Sequence, residues 1–496
     1  MASLFFYGWW NPPYLILLLI SIGVNYALGQ FLIQAHLSEK EAQGKLLLAV
    51  GILFNLGLIG YYKYSNFFID NINSIAGTSI FLSQIILPLG ISFYTFQQIS
   101  YLIDSLEGET KGYRFLDYCL FVSFFPQLIA GPIVTHQEML PQFSKRNFFK
   151  FNGEHLVVGL TIFCMGLFKK VVLADQIALF STPIFNAAGQ DIPLTFVEAW
   201  VGALAYTLQI YFDFSGYSDM AIGAARMFGV KLPLNFNSPY KAYSIIDFWG
   251  RWHMTLTRFL TRYLYNPITL FMSRRRIKQG KNLIKRGIGS PAAFLELVAL
   301  PTIVTMFLAG LWHGAGWQYI VFGLLHGFYL SINHGWRMLR KSMGHNLKQS
   351  NWWGRSIGQS ITFIAVVIAM VFFRAPNVGD AMVVLNSMAG LNGVSFSDGA
   401  MFSNGLLADP ANGILLIAGL LTIALCFPNT HQWMAKYAPA LGFSHDKPKH
   451  QPKWVNLLWR NLQWTPTQPW AAVTAAAAVA SFLGLAQVSE FIYFQF

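Results

Sequence analysis

The stretch "LAGLWHGAGW", residues 308–317, places one histidine, His313, between two long apolar segments. The segments 291–311 and 317–333 flank it, and each is long enough to enter a lipid bilayer. The three glycines of the stretch disfavour one straight helix running through it. Non-helical backbone at membrane depth is tolerated only against protein or a water-filled cavity. The stretch therefore predicts a turn or re-entrant dip that carries an imidazole.

The composition of the whole chain is that of a polytopic membrane protein. Of 496 residues, 54% are hydrophobic, 16% aromatic and 11% charged, whereas soluble domains carry about 25% charged residues. Candidate transmembrane or re-entrant segments are 13–34, 46–69, 78–98, 115–131, 156–176, 196–212, 291–311, 317–333, 357–373, 412–427 and 470–488. The first has no basic stretch before it and no small-residue cleavage site, so we expect a retained anchor. The prediction is an all-α protein with about ten to twelve such segments.

Two basic stretches orient the chain in the membrane. Residues 273–287 and 337–355 are rich in lysine and arginine and contain no acidic residue. Such loops face the cytoplasm, so we expect both on that side and the histidine turn towards the opposite surface. The net charge of +13 is then explained by basic residues at the ends of the membrane segments, where they contact anionic lipid. The lipid bilayer is an expected partner, and nucleic acid is not.

The cysteines give no sign of a disulfide framework or a metal centre. Cys119, Cys164 and Cys426 lie far apart in apolar surroundings, without a C-x-x-C pair. We therefore predict neither a disulfide nor a metal site.

Three charges interrupt the apolar run 206–230, namely Asp213, Asp219 and Arg226. A charge at the centre of a bilayer costs about 2.5–3.5 kcal/mol on insertion scales, so each requires a partner or water. One interpretation is a structural ion pair between Asp219 and Arg226, and the other is an acidic wall of a reaction chamber. Asp213 is the better functional candidate because no basic residue lies near it in sequence.

Aromatic and basic residues alternate along the segment 232–267. This pattern suits an amphipathic helix at the membrane surface, in which His253 alone would be a hydrogen-bonded bystander. Its expected salt-bridging companions are Asp247, Arg251, Arg258 and Arg262.

Several blocks of the sequence together resemble one family, the bacterial membrane-bound O-acyltransferases of the alginate O-acetylation type. The blocks are "SFYTFQQISYLID" (92–104), "FPQLIAGPI" (125–133), "GLFKKVVLAD" (166–175), "LQIYFDFSGYSDMAIGAARMFG" (208–229), "FWGRWHMTLTRFL" (248–260), "LWHGAGWQYIVFGLLHG" (311–327) and "FFRAP" (372–376). The resemblance covers about residues 85–375, the expected catalytic core of a single membrane-embedded domain, 1–496. Residues 376–496 are expected to be C-terminal helices and loops.

The resemblance implies a fold and a site. The fold would be a ring of about ten to twelve transmembrane and re-entrant helices around a thin centre, with a tunnel reaching the catalytic histidine from both faces. By position, His313 is the catalytic residue and His253 the second polar member of the site. His326 matches a family position of less certain role. Packing is its simpler interpretation, because thirteen residues on an ideal helix leave it about 140° from His313. Possible supporting residues are Asp213, Asp219, Asp247, Arg251, Trp312 and His326.

The chemistry of such a site follows from its reactants. An un-ionised hydroxyl attacks a thioester slowly, and a neutral imidazole that takes its proton contributes about 10²–10⁴-fold. Trp312, Trp317 or a backbone amide is expected to support the developing oxyanion. Transfer through an acyl-histidine at His313 stays open.

The resulting hypothesis is an inner-membrane O-acyltransferase that acetylates an exported polysaccharide. Its donor would be cytoplasmic acetyl-CoA or another acyl thioester, with no tightly bound cofactor. The donor phosphates would meet Arg274, Arg275, Arg276, Lys278, Lys281 and Lys285, although a topology signal is the stronger interpretation of this cluster. The acceptor would be a sugar hydroxyl or a periplasmic acetyltransferase partner.

Two alternatives stay open from the sequence. The basic insertion 271–287 is similar to that of relatives that transfer D-alanine to teichoic acids, which favours acyl transfer from a carrier protein. A different class is a transporter or an export-complex subunit that uses the same polar interior without chemistry.

Overall fold

The structure is a computed structural model that describes residues 1–110, 112–144, 150–190, 192–285, 287–347, 351–394, 410–443 and 462–485. These residues form α-helices with short π-helical and 3₁₀ segments, and no β-strand occurs within them. The predicted all-α class is therefore confirmed.

Short helices separate the long ones in the first part of the chain. They are α1 (Ala2–Trp10), α2 (Pro12–Leu37), α3 (Glu41–Ile59), α4 (Ser65–Ala76), α5 (Ile91–Leu106), α6 (Phe115–Ser123), α7 (Phe125–Leu128), α8 (His136–Phe143), α9 (Gly153–Phe168), α10 (Asp175–Ala188) and α11 (Phe196–Met227).

The remaining helices follow the same alternation. They are α12 (Ile245–Trp249), α13 (Met254–Leu260), α14 (Asn266–Lys278), α15 (Pro291–Phe294), α16 (Leu300–His313), α17 (Trp317–Ser342), α18 (Trp352–Arg374), α19 (Val378–Met388), α20 (Pro410–Cys426), α21 (Thr430–Trp433) and α22 (Gln468–Gly484). The π-helical segments are Gly60–Tyr64, Lys169–Ala174, Thr261–Tyr265 and Leu295–Ala299, and the 3₁₀ segments are Pro239–Lys241 and Ala435–Tyr437.

Five helical runs of the described chain are long and apolar enough to cross a bilayer. They are Pro12–Leu37, Glu41–Ala76, Gly153–Ala188, Pro291–His313 and Trp352–Arg374. Runs of this length span about 30 Å or more of hydrocarbon at 1.5 Å per residue. The chain is therefore a multi-pass membrane protein.

Two of the candidate transmembrane or re-entrant segments are not single continuous helices. Residues 78–88 of the segment 78–98 are not helical, and α5 begins only after Gly90, whose φ of 70° is left-handed. The segment 115–131 divides at Phe124 into α6 and α7. Pro126 lies at the start of α7, where a residue without an N–H begins a helix but does not continue the preceding one.

The described residues group into two compact units that alternate along the chain. The first comprises those of Met1–Phe163, Ser218–Leu234 and Lys436–His445, and the second those of Cys164–Tyr217, Asn235–Ala435 and Asp446–Phe496. Both candidate catalytic histidines belong to the second unit. The single-domain organisation with a core at 85–375 stays a prediction.

Within the second unit, α16 and α17 form a tight antiparallel hairpin. A methyl group on Gly323 would collide with the carbonyl of Met306, and one on Gly310 with the carbonyl of Tyr319. Small residues at these positions let two helix backbones touch, which is how helices associate in lipid. The hairpin brings the end of α16, and His313 with it, directly against the start of α17.

The predicted interruption at the histidine turn is confirmed. The helix α16 ends at His313, Gly314 and Gly316 have extended backbone, and α17 begins at Trp317. At the other end of the hairpin, the side chain of Lys341 lies against Gly287. The two basic stretches therefore share one end of the hairpin, and the histidine turn lies at the other.

Candidate functional site

His313 lies in a cage of aromatic rings. It is the last residue of α16 and is 7% exposed. Its ring centroid lies 4.9 Å from that of Trp312, 5.1 Å from that of Phe373 and 5.9 Å from that of Phe322. Because these rings come from α16, α17 and α18, the packing of three helices fixes the imidazole.

His253 is held by one buried amide. It is fully buried between α12 and α13 with a left-handed φ of 42°, and its Nδ1 lies 3.0 Å from Oδ1 of Asn235. The hydroxyl of Thr255 also donates to this oxygen, at 2.9 Å. An amide oxygen only accepts hydrogen bonds, so Nδ1 of His253 carries the hydrogen and Nε2 has the lone pair.

The lone pair of His253 is available for chemistry. Burial lowers the pKa of His253 to about 3, since a buried site disfavours the imidazolium. Among the described residues Nε2 of His253 has no hydrogen-bond partner. This nitrogen is therefore a neutral base that can accept a hydrogen bond or a proton from a substrate.

Trp312 lies between the two histidines. Its ring centroid is 6.2 Å from that of His253 and 4.9 Å from that of His313. The structure thus brings Trp312 and His313 close to His253, which lies 60 positions before His313 in the sequence. The resemblance named the two histidines, and the chemical argument named Trp312. Their catalytic roles stay predictions. In the described ranges, no group of three or more His, Cys, Asp or Glu is placed to hold a metal ion.

One ring of α17 links His326 to the site. Phe322 contacts His326, one helical turn further along α17, at 4.7 Å between ring centroids, and it contacts His313 at 5.9 Å. The indole N–H of Trp249 donates to Nδ1 of His326 at 3.3 Å. His326 therefore supports the aromatic wall behind His313, consistent with the packing interpretation.

Asp213 has a basic partner, although none lies near it in sequence, and its functional role stays a prediction. Lys170, far away in sequence, places Nζ 2.7 Å from Oδ1 of Asp213 and 2.7 Å from Oδ1 of Asp175. This arrangement favours a structural charge cluster over an isolated catalytic carboxylate. The signal was present in the block "GLFKKVVLAD", where lysines interrupt an apolar run and therefore require partners.

The interpretation that pairs Asp219 with Arg226 is wrong. The guanidinium of Arg226 pairs with the carboxylate of Glu154, at 3.6 Å. These three residues belong to the first compact unit. Asp219 and Arg226 both lie on α11. The spacing of residues along one helix does not show which residue of another helix faces Arg226.

The segment 232–267 is not a surface helix. It folds into two short helices separated by His253, and Phe248, Trp249 and Trp252 are buried. The ion pair between Asp247 and Arg251 is present at 2.9 Å and is partly exposed. Burial of the aromatic residues against the protein, rather than lipid headgroups, decides the conformation of this segment.

The residues of the predicted donor cluster occupy three different environments. Arg276 is buried, pairs with Glu296 at 2.9 Å and donates to the carbonyl of Asn282, so its charge holds the loop in place. Lys281 and Lys285 line a cavity of about 690 Å³ beside that pair. The exposed members on α14 are Arg274, Arg275 and Lys278.

A second cavity, which the sequence did not predict, lies along α16. Its volume is about 300 Å³, and Trp249, Thr302, Met306 and His334 are among its lining residues. Thr302 and Met306 precede His313 by eleven and seven residues, which places all three on one face of an ideal helix. The cavity therefore lies on the face of α16 that carries His313, towards the basic end of the hairpin.

These features match a known class of enzyme, and the chain belongs to the membrane-bound O-acyltransferase family. The family model matches residues 103–282. A peptidoglycan O-acetyltransferase of Helicobacter pylori is 43% identical over 419 residues, covering 79% of this chain and 73% of the relative. The chain is therefore a membrane-embedded O-acyltransferase, and the non-catalytic alternative is not supported.

Other relatives differ in their acceptors. A probable alginate O-acetylase of Pseudomonas aeruginosa is 38% identical over 399 residues, covering 78% of this chain and 68% of the relative. A teichoic acid D-alanyltransferase of Streptococcus thermophilus is 26% identical over 297 residues, covering 58% of this chain and 68% of the relative. The three names describe acetylation of peptidoglycan, acetylation of alginate and transfer of D-alanine to teichoic acid.

Proposed function

We propose that this chain is an inner-membrane enzyme that moves an acetyl group from cytoplasmic acetyl-CoA to a hydroxyl of an exported polysaccharide. The observation that carries the proposal is the arrangement of His253 and His313 on either side of Trp312. It combines a base of fixed tautomer with a second imidazole in an apolar cage. The names of the relatives at 43% and 38% identity support an acetyl group and a glycan acceptor.

The two cavities support a donor that approaches from the basic end of the hairpin. The larger one offers Lys281 and Lys285 to phosphate groups, and basic side chains bind phosphate by charge-assisted hydrogen bonds. The smaller one lies on the His313 face of α16 and extends towards that end. A thioester arm that follows this face would bring the acyl carbon to the histidines.

His313 acts as the general base in this mechanism. Its imidazole takes the proton of the acceptor hydroxyl as the oxygen attacks the thioester carbon, and the proton then passes to the departing thiolate. The indole N–H of Trp312 supports the oxyanion. The side chain of Trp317 is 57% exposed, which favours Trp312 over it for this role.

His253 is a second candidate for the base. Its lone pair is fixed on Nε2 by Asn235, and the low pKa of His253 leaves it neutral at physiological pH. If His253 takes the proton, His313 orients the acceptor hydroxyl instead. Only a comparison of the two single variants separates these roles.

The test is transfer from radiolabelled acetyl-CoA in membranes that contain the wild type or one variant, with extracted glycans and a periplasmic fraction as acceptors. We expect His313→Ala to abolish incorporation and His253→Asn to reduce it by about 10²-fold or more. The matched control is His345→Ala, because His345 is exposed in the basic loop. Equal incorporation by the wild type and His313→Ala would remove His313 from the chemistry.

Acyl transfer from a carrier protein is the second candidate function. The similarity to the teichoic acid D-alanyltransferase and the exposed basic residues of α14 support it. Incorporation from an acyl-carrier protein, with none from acetyl-CoA, would replace the acetyl-CoA proposal.

A further inference from the structure

Asn429 joins the C-terminal part of the chain to the segment that holds His253. It directly precedes α21, is 9% exposed and belongs to the same compact unit as His253. It lies outside residues 103–282, which the family model matches, and it has no part in the mechanism proposed above. Its contacts therefore connect a part of the chain outside that match to the candidate site.

Both ends of the Asn429 amide form hydrogen bonds. Its Nδ2 donates to Oδ1 of Asn237 and to Oγ of Ser238, each at 3.1 Å. Its Oδ1 accepts the backbone N–H of Gln432 at 2.8 Å, which caps α21. A side-chain amide has two N–H groups, so both donors of Asn429 are used on the segment 235–238.

The backbone of this segment pairs with the backbone on either side of His253. The N–H of Asn237 donates to the carbonyl of Arg251 at 2.9 Å, and the N–H of Met254 donates to the carbonyl of Asn235 at 2.9 Å. The side chain of Asn235 also accepts from Nδ1 of the imidazole, at 3.0 Å. A movement of the segment would therefore move the imidazole and its lone pair.

Two residues of this arrangement have left-handed backbone. The angle φ is 48° at Ser238 and 42° at His253, and both residues are buried. Residues other than glycine rarely adopt this conformation and keep it only where their surroundings impose it. The hydrogen bond from Asn429 to Ser238 supplies part of that restraint. Without it, we expect the segment to relax and His253 to lose its single orientation.

We propose that Asn429 is a positioning residue for acyl transfer, whose amide holds the segment 235–238 and so keeps Nε2 of His253 in place for the substrate. This proposal rests on the function proposed above, in which His253 is part of the reaction site. The competing explanation is that Asn429 only caps α21. The two explanations differ in whether loss of the two donor bonds, with the cap kept, affects His253.

The variant that separates these explanations is Asn429→Ser. Serine is as good an N-cap as asparagine, but it lacks the amide that reaches Asn237 and Ser238. The matched control is Asn351→Ser, because the exposed Asn351 caps α18 in the same way, by accepting the N–H of Gly354 at 2.9 Å. Asn237→Ala removes one acceptor of the same amide and tests the contact from its other side. Thermal unfolding in detergent establishes that each variant is folded.

The first measurement is the reaction of histidines with diethyl pyrocarbonate, located by mass spectrometry of the peptides. The reagent attacks accessible neutral imidazoles, so the buried His253 should react slowly and the exposed His345 fast. We expect Asn429→Ser to raise the rate at His253 about tenfold or more, because two buried hydrogen bonds no longer oppose local opening. Asn351→Ser should leave this rate unchanged, and His345 should react equally in every protein.

The second measurement is acetyl transfer from radiolabelled acetyl-CoA to extracted glycans. We expect Asn429→Ser to lower kcat about tenfold without changing KM for acetyl-CoA, since a small displacement of a reacting group slows the chemical step. Combined with His253→Asn, the same serine substitution should have no further effect, because no imidazole remains to be positioned.

An unchanged rate at His253 in Asn429→Ser would overturn the proposal, whatever the transfer assay shows. An equal loss of kcat with and without the His253 imidazole would also overturn it, because that outcome indicates a general structural effect. A faster reaction at His253, with no acetyl transfer by the wild type, would contradict the proposed acetyl-CoA reaction alone and support the role of Asn429 in holding the imidazole.

Discussion

At the scale of single residues, the structure fixes protonation and tautomer where the sequence only names side chains. His253 and His136 are both fully buried. Nδ1 of His253 faces a neutral amide, whereas Nε2 of His136 lies 3.0 Å from the carboxylate of Asp104 and its Nδ1 3.0 Å from the hydroxyl of Tyr113. Two histidines with the same burial therefore have different partners, a neutral amide for His253 and a carboxylate for His136.

The burial of His253 beside a neutral amide predicts how the stability of the protein depends on pH. The pKa of His253 is about 3 in the folded protein and about 6.5 in an unfolded chain. Because the unfolded state binds the proton more tightly, the free energy of unfolding falls by about 1.4 kcal/mol per pH unit as the pH drops from 6.5 towards 3. The stabilising contribution is fully present above pH 6.5.

The measurement is the midpoint of thermal unfolding at pH 7.5 and at pH 5.5, in detergent. We expect His253→Asn to lose about 1.4 kcal/mol less than the wild type between these values, since asparagine tolerates the left-handed backbone and does not titrate. An identical pH dependence in both proteins would show that His253 is protonated in the folded state.

At the scale of elements, the hairpin of α16 and α17 positions the site. The backbones touch at Gly310 and Gly323, and this contact fixes where His313 meets Phe322. Larger side chains at the contact would separate the two helices. The sequence shows glycines in both segments, but only the packed pair shows which of them face each other.

We predict that Gly323→Ala destabilises the protein by about 1–3 kcal/mol, as overpacking does, and lowers transfer activity because the cage around His313 opens. The matched control is Gly419→Ala on α20, where the added methyl group meets no atom of the described residues within 4 Å apart from its own stretch of helix. That change is expected to be neutral or stabilising by up to about 1 kcal/mol. Thermal unfolding and acetyl transfer measure both effects, and equal behaviour of the two variants would contradict the close packing.

At the scale of the whole molecule, contacts between distant parts of the chain decide the charge balance of the membrane interior. Lys170 forms ion pairs with both Asp175, the first residue of α10, and Asp213 on α11. The family resemblance placed both blocks in the core but did not show that they pair.

Removing this lysine is predicted to be more harmful than removing one of its partners. Lys170→Met takes the cation from two carboxylates and should cost about 3–5 kcal/mol. Asp175→Asn leaves the pair with Asp213 and should cost less. The double variant Lys170→Met/Asp213→Leu should recover part of the loss, and thermal unfolding of the set measures it. A loss in Lys170→Met no larger than in Asp175→Asn would show that the cluster is not a charge pair in the membrane.

The sequence by itself determined the class of protein, the all-α fold and the candidate histidines. The length of an apolar segment and the charge of a loop are properties of a short stretch of sequence. Membrane segments can therefore be recognised without knowing which helices they pack against. Ordered motif blocks likewise identify His253 and His313 from the sequence alone. Only the tertiary structure decided the partner of Asp213, the tautomer of His253 and the close contact between Gly310 and Gly323. These properties depend on which helix faces which, and a buried charge or imidazole takes its character from neighbours that are distant in sequence.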